Sequence, residues 1–132
     1  ETNKQGGWFT LTALKTYLTE KGYSNLYLDE LPDAASQPEA INLNKWDHTV
    51  DPSDDGCGTH FLRIHVRRST YDLAYSVCRE LFQLLDSGAQ ETPIALTEEQ
   101  FCIARPRKGP IFLERGEGYV VFICEIALWG EN

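Results

Sequence analysis

The stretch that most constrains the fold is Tyr119 to Trp129. Val120, Phe122, Cys124, Ile126 and Leu128 alternate there with Val121, Ile123, Ala127 and Trp129, so a strand built from this run is apolar on both faces. An antiparallel sheet ordinarily keeps one face wet. A strand apolar on both sides therefore predicts a helix layer against one face and either another layer or a partner subunit against the other. The run is too short for the roughly 20 residues a membrane-spanning helix needs, carries Glu125 in its middle and stops at Gly130, so no membrane insertion is expected.

The rest of the chain supplies that helix layer and the neighbouring strands. Leu11, Leu14, Tyr17 and Leu18 recur at helical spacing between Thr10, a capping residue, and the stop at Gly22. Tyr23 to Leu31 reads as a strand ended by Pro32, and Ile41 to Trp46 as a half-buried strand. Thr59 to Arg68 alternates cleanly, with Leu62, Ile64 and Val66 on one face and Phe61, Arg63, His65 and Arg67 on the other. Thr70 or Ser69 caps a second helix, whose stripe runs from Leu73 through Ala74, Val77, Cys78, Leu81 and Phe82 to Leu85. Phe101 to Arg105, Ile111 to Glu114 and Tyr119 to Trp129 then form an antiparallel meander. The order predicts one α+β domain over residues 1–132, with two helices packed on a mainly antiparallel sheet. Residues 1–9 are expected to be a flexible N-terminus. Asp47 to Gly58, rich in Asp, Gly, Ser and Pro, is expected to be a mobile acidic loop.

The 132 residues carry 12 basic and 20 acidic side chains, a formal charge of −8. The surplus is concentrated early: residues 1–60 hold 4 basic and 10 acidic groups, the remainder 8 and 10. Such a field repels a phosphate backbone, so DNA is expected to pass the protein without specific binding. Cys57, Cys78, Cys102 and Cys124 show neither C-x-x-C nor zinc-finger spacing, and read as reduced, mostly buried thiols of a protein made inside a cell. Glu1 to Gly7 has no basic segment leading into an apolar one, so no export signal is expected.

Catalytic and metal-binding patterns fail on inspection. Asp51, Ser53, Asp55 and Gly56 stand at the first, third, fifth and sixth places of a calcium loop, but the twelfth, where a bidentate carboxylate belongs, is Leu62. Cys57, His60 and His65 suggest metal ligands or a thiol–imidazole pair, yet the two histidines are five apart and fall on opposite faces of one strand. The paired carboxylates Asp29/Glu30, Asp54/Asp55 and Glu98/Glu99 fall in turns. No nucleophile elbow, zinc-protease motif or phosphate-cradling glycine loop occurs. No active site, cofactor or metal is expected.

One charged pattern stays open. Arg105, Arg107 and Lys108 lie in a proline-bounded stretch, with Arg67 and Arg68 on a neighbouring element. This is a charged edge that deters strand pairing, a dock for an anionic partner, or an edge that meets acidic groups of another copy head to tail and closes a ring. The interface candidates are Arg67, Arg68, Arg105, Arg107 and Lys108, with Asp51, Asp54, Asp55 and Trp46 from the acidic loop and its entrance.

The succession of elements resembles that of bacteriophage minor capsid and tail-terminator (tail-completion) proteins. The residues concerned are the helix Leu11 to Leu18, the segment Pro38-Glu-Ala-Ile-Asn-Leu43, and the strand Phe61 to Arg67 running through Ser69-Thr-Tyr-Asp72 into the helix Leu73 to Leu85. The hairpin from Pro110 to Ile123 completes the likeness. The resemblance implies a structural, non-enzymatic virion protein, assembled in the host cytoplasm. It would form a ring, often of six copies, at the head-proximal end of a tail, where it stops tube growth and meets tail-tube and head-connector proteins. A head–tail stopper or minor capsid role, and a small bacterial enzyme or anionic-ligand-binding domain, are the alternatives.

Overall fold

The computed structural model describes residues 10–28, 30–50, 57–90 and 92–131. Among these residues, two helices and six strands follow one another as α1 (Leu11–Glu20), β1 (Leu26–Leu28), β2 (Ala40–Val50), β3 (Cys57–Arg68), α2 (Tyr71–Leu84), β4 (Ile94–Ala95), β5 (Phe101–Gly116) and β6 (Tyr119–Glu131). The strands make one sheet in the order β1-β2-β3-β6-β5-β4, antiparallel except where β1 pairs with β2. This is the α+β architecture expected from the sequence.

Each helix begins where its side-chain chemistry dictates. The Thr10 hydroxyl accepts the Ala13 N–H at 3.1 Å and the Thr70 hydroxyl accepts that of Leu73 at 3.2 Å, satisfying donors the first turn would otherwise leave unpaired. Helix α1 gives way at Gly22, whose φ of +102° suits a residue without a Cβ. Helix α2 lies on β6, β3 and β5, while α1 packs on β1 and β2, so both helices serve the same sheet face. The core between them is Leu14, Leu18, Ile41, Leu43, Leu62, Ile64, Cys78, Leu81, Leu85, Cys124, Ile126 and Leu128, all fully buried. Burial of each large apolar side chain contributes roughly 1.5–3 kcal/mol, so this layer holds the fold together.

Four departures from the sequence reading have physical causes. The stretch 47–58 is not all loop: β2 continues to Val50 and β3 starts at Cys57, with His48 opposite His60 and Val50 opposite Gly58. Backbone pairing with a good strand carried polar residues along, after a register shift between Lys45 and Asp47. The expectation for residues 51–56, and that for residues 1–9, lies outside the described residues. The strand expected over Tyr23 to Leu31 is only Leu26–Leu28, preceded by Asn25 at φ +59°.

The third and fourth departures concern the C-terminal meander. It has two long strands in place of three short ones, because β5 runs unbroken from Phe101 to Gly116 through Arg105 to Pro110, taking up the prolines in register shifts at Pro106/Lys108 and Lys108/Ile111. A two-residue turn then returns the chain at Gly118, φ +81°. Finally, β4 is a short strand that no sequence pattern signalled, and it pairs only with Phe101 and Cys102.

Candidate functional site

The face of the sheet turned away from the helices carries Phe61, Arg63, His65 and Arg67 from β3, Val121, Ile123, Glu125, Ala127 and Trp129 from β6, and Ile103 and Arg105 from β5. Along the strands this face divides into three zones with different chemistry.

At the first end the face is covered. Arg67 is 4% exposed; its guanidinium donates to the Pro38 carbonyl at 3.3 Å and to that of Gln37, and it sits over the Tyr119 ring at 5.7 Å. One buried cation thus ties the connection before β2 to the sheet. Arg68 is half-buried, donates to the Arg67 carbonyl at 2.8 Å and is held below the usual arginine range by burial, an effect Glu39 partly offsets. A cleft of about 510 Å³ opens beside this clamp between residues 31–38 and the β5–β6 turn, with Glu114, Glu117 and Tyr119 on its sheet side.

In the middle zone Arg63 and Glu125 face one another across β3 and β6, with the guanidinium donating to Glu125 Oε2 through Nε at 3.1 Å and Nη2 at 2.8 Å. Glu125 is nearly buried at 9% exposure, with Arg63 opposite it on β3 and Lys108 opposite it on β5. His65 lies alongside. Burial, and then Arg63, push its imidazole below its ordinary value, while Glu114 pulls it the other way.

The other end is open. Thr59, Ile103, Arg105, Ala127 and Trp129 line a groove of about 400 Å³. The Arg107 guanidinium lies 5.1 Å from the centre of the Phe61 ring at its margin. Arg105, Arg107 and Lys108 are all exposed.

The sequence-expected basic cluster therefore separates into two. Arg67 is level with Val121 of β6 and Arg105 with Ala127, six residues further along that strand, or about 20 Å at strand rise. Arg67 and Arg68 are structural and do not join Arg105, Arg107 and Lys108 in one patch. The reason is topological: β6 lies between β3 and β5, and its length sets the two groups apart. Trp46 belongs to β2 by its backbone, but its side chain, like Asp51, Asp54 and Asp55, lies outside the described residues.

His60 is buried on the helix side of β3, where it alternates with the open-face residues, and His65 is on the other side, so the two cannot act on one ligand. Leu62, at the failed calcium position, is a core residue. Cys78, Cys102 and Cys124 are free and buried. Burial pushes the Cys102 thiol up to about 12, and a hydrogen bond with Cys78, followed by burial, raises Cys124, so neither supplies a thiolate nucleophile near neutrality. Among the described residues no group of three or more His, Cys, Asp and Glu is placed to hold a metal ion, and no helix is long and apolar enough to cross a membrane.

Sequence reasoning missed the groove and the Arg63–Glu125 pair. Their signal was present in the alternation of β3 and β6, but needed the cross-strand register to become a place. It also missed an aromatic cluster at the start of α2, where the Tyr71, Tyr75 and Phe112 rings pack around Phe122 at 4.9–5.9 Å. No family model matches the chain, and no curated protein matches it.

Proposed function

We propose that this chain is a structural protein of a phage or prophage, acting at the head-proximal end of the tail, where it ends the tail tube and joins it to the head connector by forming a ring. The observation that carries the reading is the division of labour between the two sheet faces. One is filled by helices, and the other leaves Phe61, Ile103, Ile123, Ala127 and Trp129 half-exposed beside exposed cations. A ring subunit requires such a surface, since each copy must bury part of itself against the next. The edge of β5 supports the same reading, because backbone pairing there is already limited. β4 occupies Phe101 and Cys102, and Ser87 exchanges two 2.8 Å hydrogen bonds with Ala104. The next outward-facing position is Pro106, which has no N–H to offer. The acidic surplus suits a bore through which DNA passes without adhering. A stopper or minor capsid subunit would use the same surfaces, and all of these roles imply a place in the virion.

A second reading, a small-ligand domain taking an anionic metabolite, draws on the groove with Arg105 and Trp129. Arg67 no longer belongs to it, being enclosed by its own chain. Electron microscopy of the concentrated protein, together with melting curves in inorganic phosphate and in a nucleotide, separates the two. Rings with a central opening, and a melting temperature indifferent to the anions, are expected. A strict monomer that such an anion stabilises would replace the assembly reading with the ligand-binding one.

A further inference from the structure

The two ends of β5 are complementary. Towards its start, the groove offers apolar walls from Ile103, Ala127 and Trp129 and the cation of Arg105, and the exposed Arg107 and Lys108 follow it along β5, Lys108 level with Glu125. Towards its end, Ile111 and Leu113 are 41% and 46% exposed, and the exposed Glu114, Arg115 and Glu117 follow, two carboxylates against one guanidinium. Glu114 accepts the Tyr119 hydroxyl at 3.3 Å, and Glu117 stands in the turn itself. One surface is apolar with cations beside it; the other is apolar with a tip in which carboxylates outnumber cations two to one.

We propose that the groove receives, from a second copy of this chain, the acidic β5–β6 turn together with Ile111 and Leu113. The inference rests on the assembly reading above and names the contact that builds it. Charge decides the occupant: at a net −8, two copies repel one another over most of their surfaces, so a stable approach has to bring a basic patch of one to an acidic patch of the other. Geometry decides the symmetry. Arg105 is level with Ala127 and Gly116, where the turn begins, with Tyr119, eight residues apart on β6 or roughly 25 Å, so the groove and the turn are different patches. A contact between unlike patches is head to tail; each copy keeps a free groove at one side and a free turn at the other, and the series ends only by closing into a ring. Direct pairing of two β5 edges would instead give a two-fold dimer, and Pro106 and Pro110 remove donors from the strand where that pairing would run.

The test is a charge exchange read as mass by light scattering over a concentration series, with far-ultraviolet circular dichroism and melting curves to verify folding. One variant carries Arg105→Glu, Arg107→Glu and Lys108→Glu; the other carries Glu114→Lys and Glu117→Lys. Each variant alone has like charge at groove and turn, and is expected to stay monomeric at concentrations where the unaltered chain assembles. An equimolar mixture pairs an acidic groove with a basic turn and a basic groove with an acidic turn, so it is expected to regain the full mass as an alternating ring. Raising the salt should lower the mass of both the unaltered chain and the mixture. Folded variants that each assemble alone, or a mixture that stays monomeric, would overturn the contact while leaving assembly itself in place. An unaltered chain that is monomeric throughout would instead remove the assembly reading, and this contact with it.

Discussion

The two faces of the central strands obey different physics, although β3 and β6 contribute alternate residues to each. Under α2, Leu62, Ile64, Cys124, Ile126 and Leu128 have lost all contact with water. On the other side, one residue along, Phe61, His65, Ile123, Ala127 and Trp129 keep part of theirs, and an ion pair lies where the covered side has aliphatic carbon. The first face is closed within the subunit and sets its stability. The second mixes half-buried apolar groups with charge, the composition of a surface that the proposed ring would bury between copies. The residues that hold the fold and those the proposed assembly would use thus alternate on the same strands at a period of two.

Paired truncations give the largest expected effect and the most direct challenge to this contrast. Ile126→Ala removes a fully buried side chain beneath α2 and should cost about 2–5 kcal/mol, since transfer energy and a cavity are lost together. Ile123→Ala, three positions earlier on the open face, should cost roughly 1 kcal/mol in the isolated subunit. Urea midpoints of the two variants measure the difference. Equal losses would show that the open face is packed within the subunit after all.

The ion pair gives a smaller effect of a different kind. Arg63→Ala leaves the Glu125 carboxylate almost enclosed without its partner. About 1–2 kcal/mol should be lost, less than for a fully buried pair because Arg63 is itself 35% exposed and the interaction is screened. Replacing both residues, with Arg63→Met and Glu125→Leu, should return most of that loss, because no charge is then left uncompensated. A double variant as unstable as Arg63→Ala would mean that the arginine stem, and not the charge, supports this part of the face.

This contrast also explains how much of the molecule was legible in the sequence. Helix α2, with Thr70 as its cap and Ala74, Cys78, Leu81 and Leu85 as its buried stripe, follows from local periodicity and capping alone. So does the double apolar character of β6. The separation of Arg67 from Arg105 could not be read, because it depends on β6 inserting between β3 and β5, a pairing of segments distant in sequence. The single long β5 was hidden by Pro106, Gly109 and Pro110, which read as a break between strands and prove to be irregularities along an edge. Where function is concerned, the basic stretch was visible as a charge pattern; Thr59 and the apolar Ala127 and Trp129 became a groove beside it only through cross-strand register.

The smallest effect concerns His65, whose Nδ1 is buried on the open face without a hydrogen-bond partner. Arg63 acts on it from β3 and Glu114 from β5, while its cross-strand neighbours Asn42 and Ile123 bring no charge. Because burial and Arg63 together hold the imidazole below 6.5, the unfolded chain binds a proton more readily than the folded one. The stability this residue permits is complete above its unfolded value and declines as pH falls from about 6.5 towards the folded value. His65→Gln should therefore flatten the fall in urea midpoint between pH 7 and pH 5. His48, His60 and the carboxylates are common to both proteins, so the difference between the two pH profiles isolates His65. Identical profiles would mean that water reaches this imidazole freely, making the middle of the open face as wet as its groove.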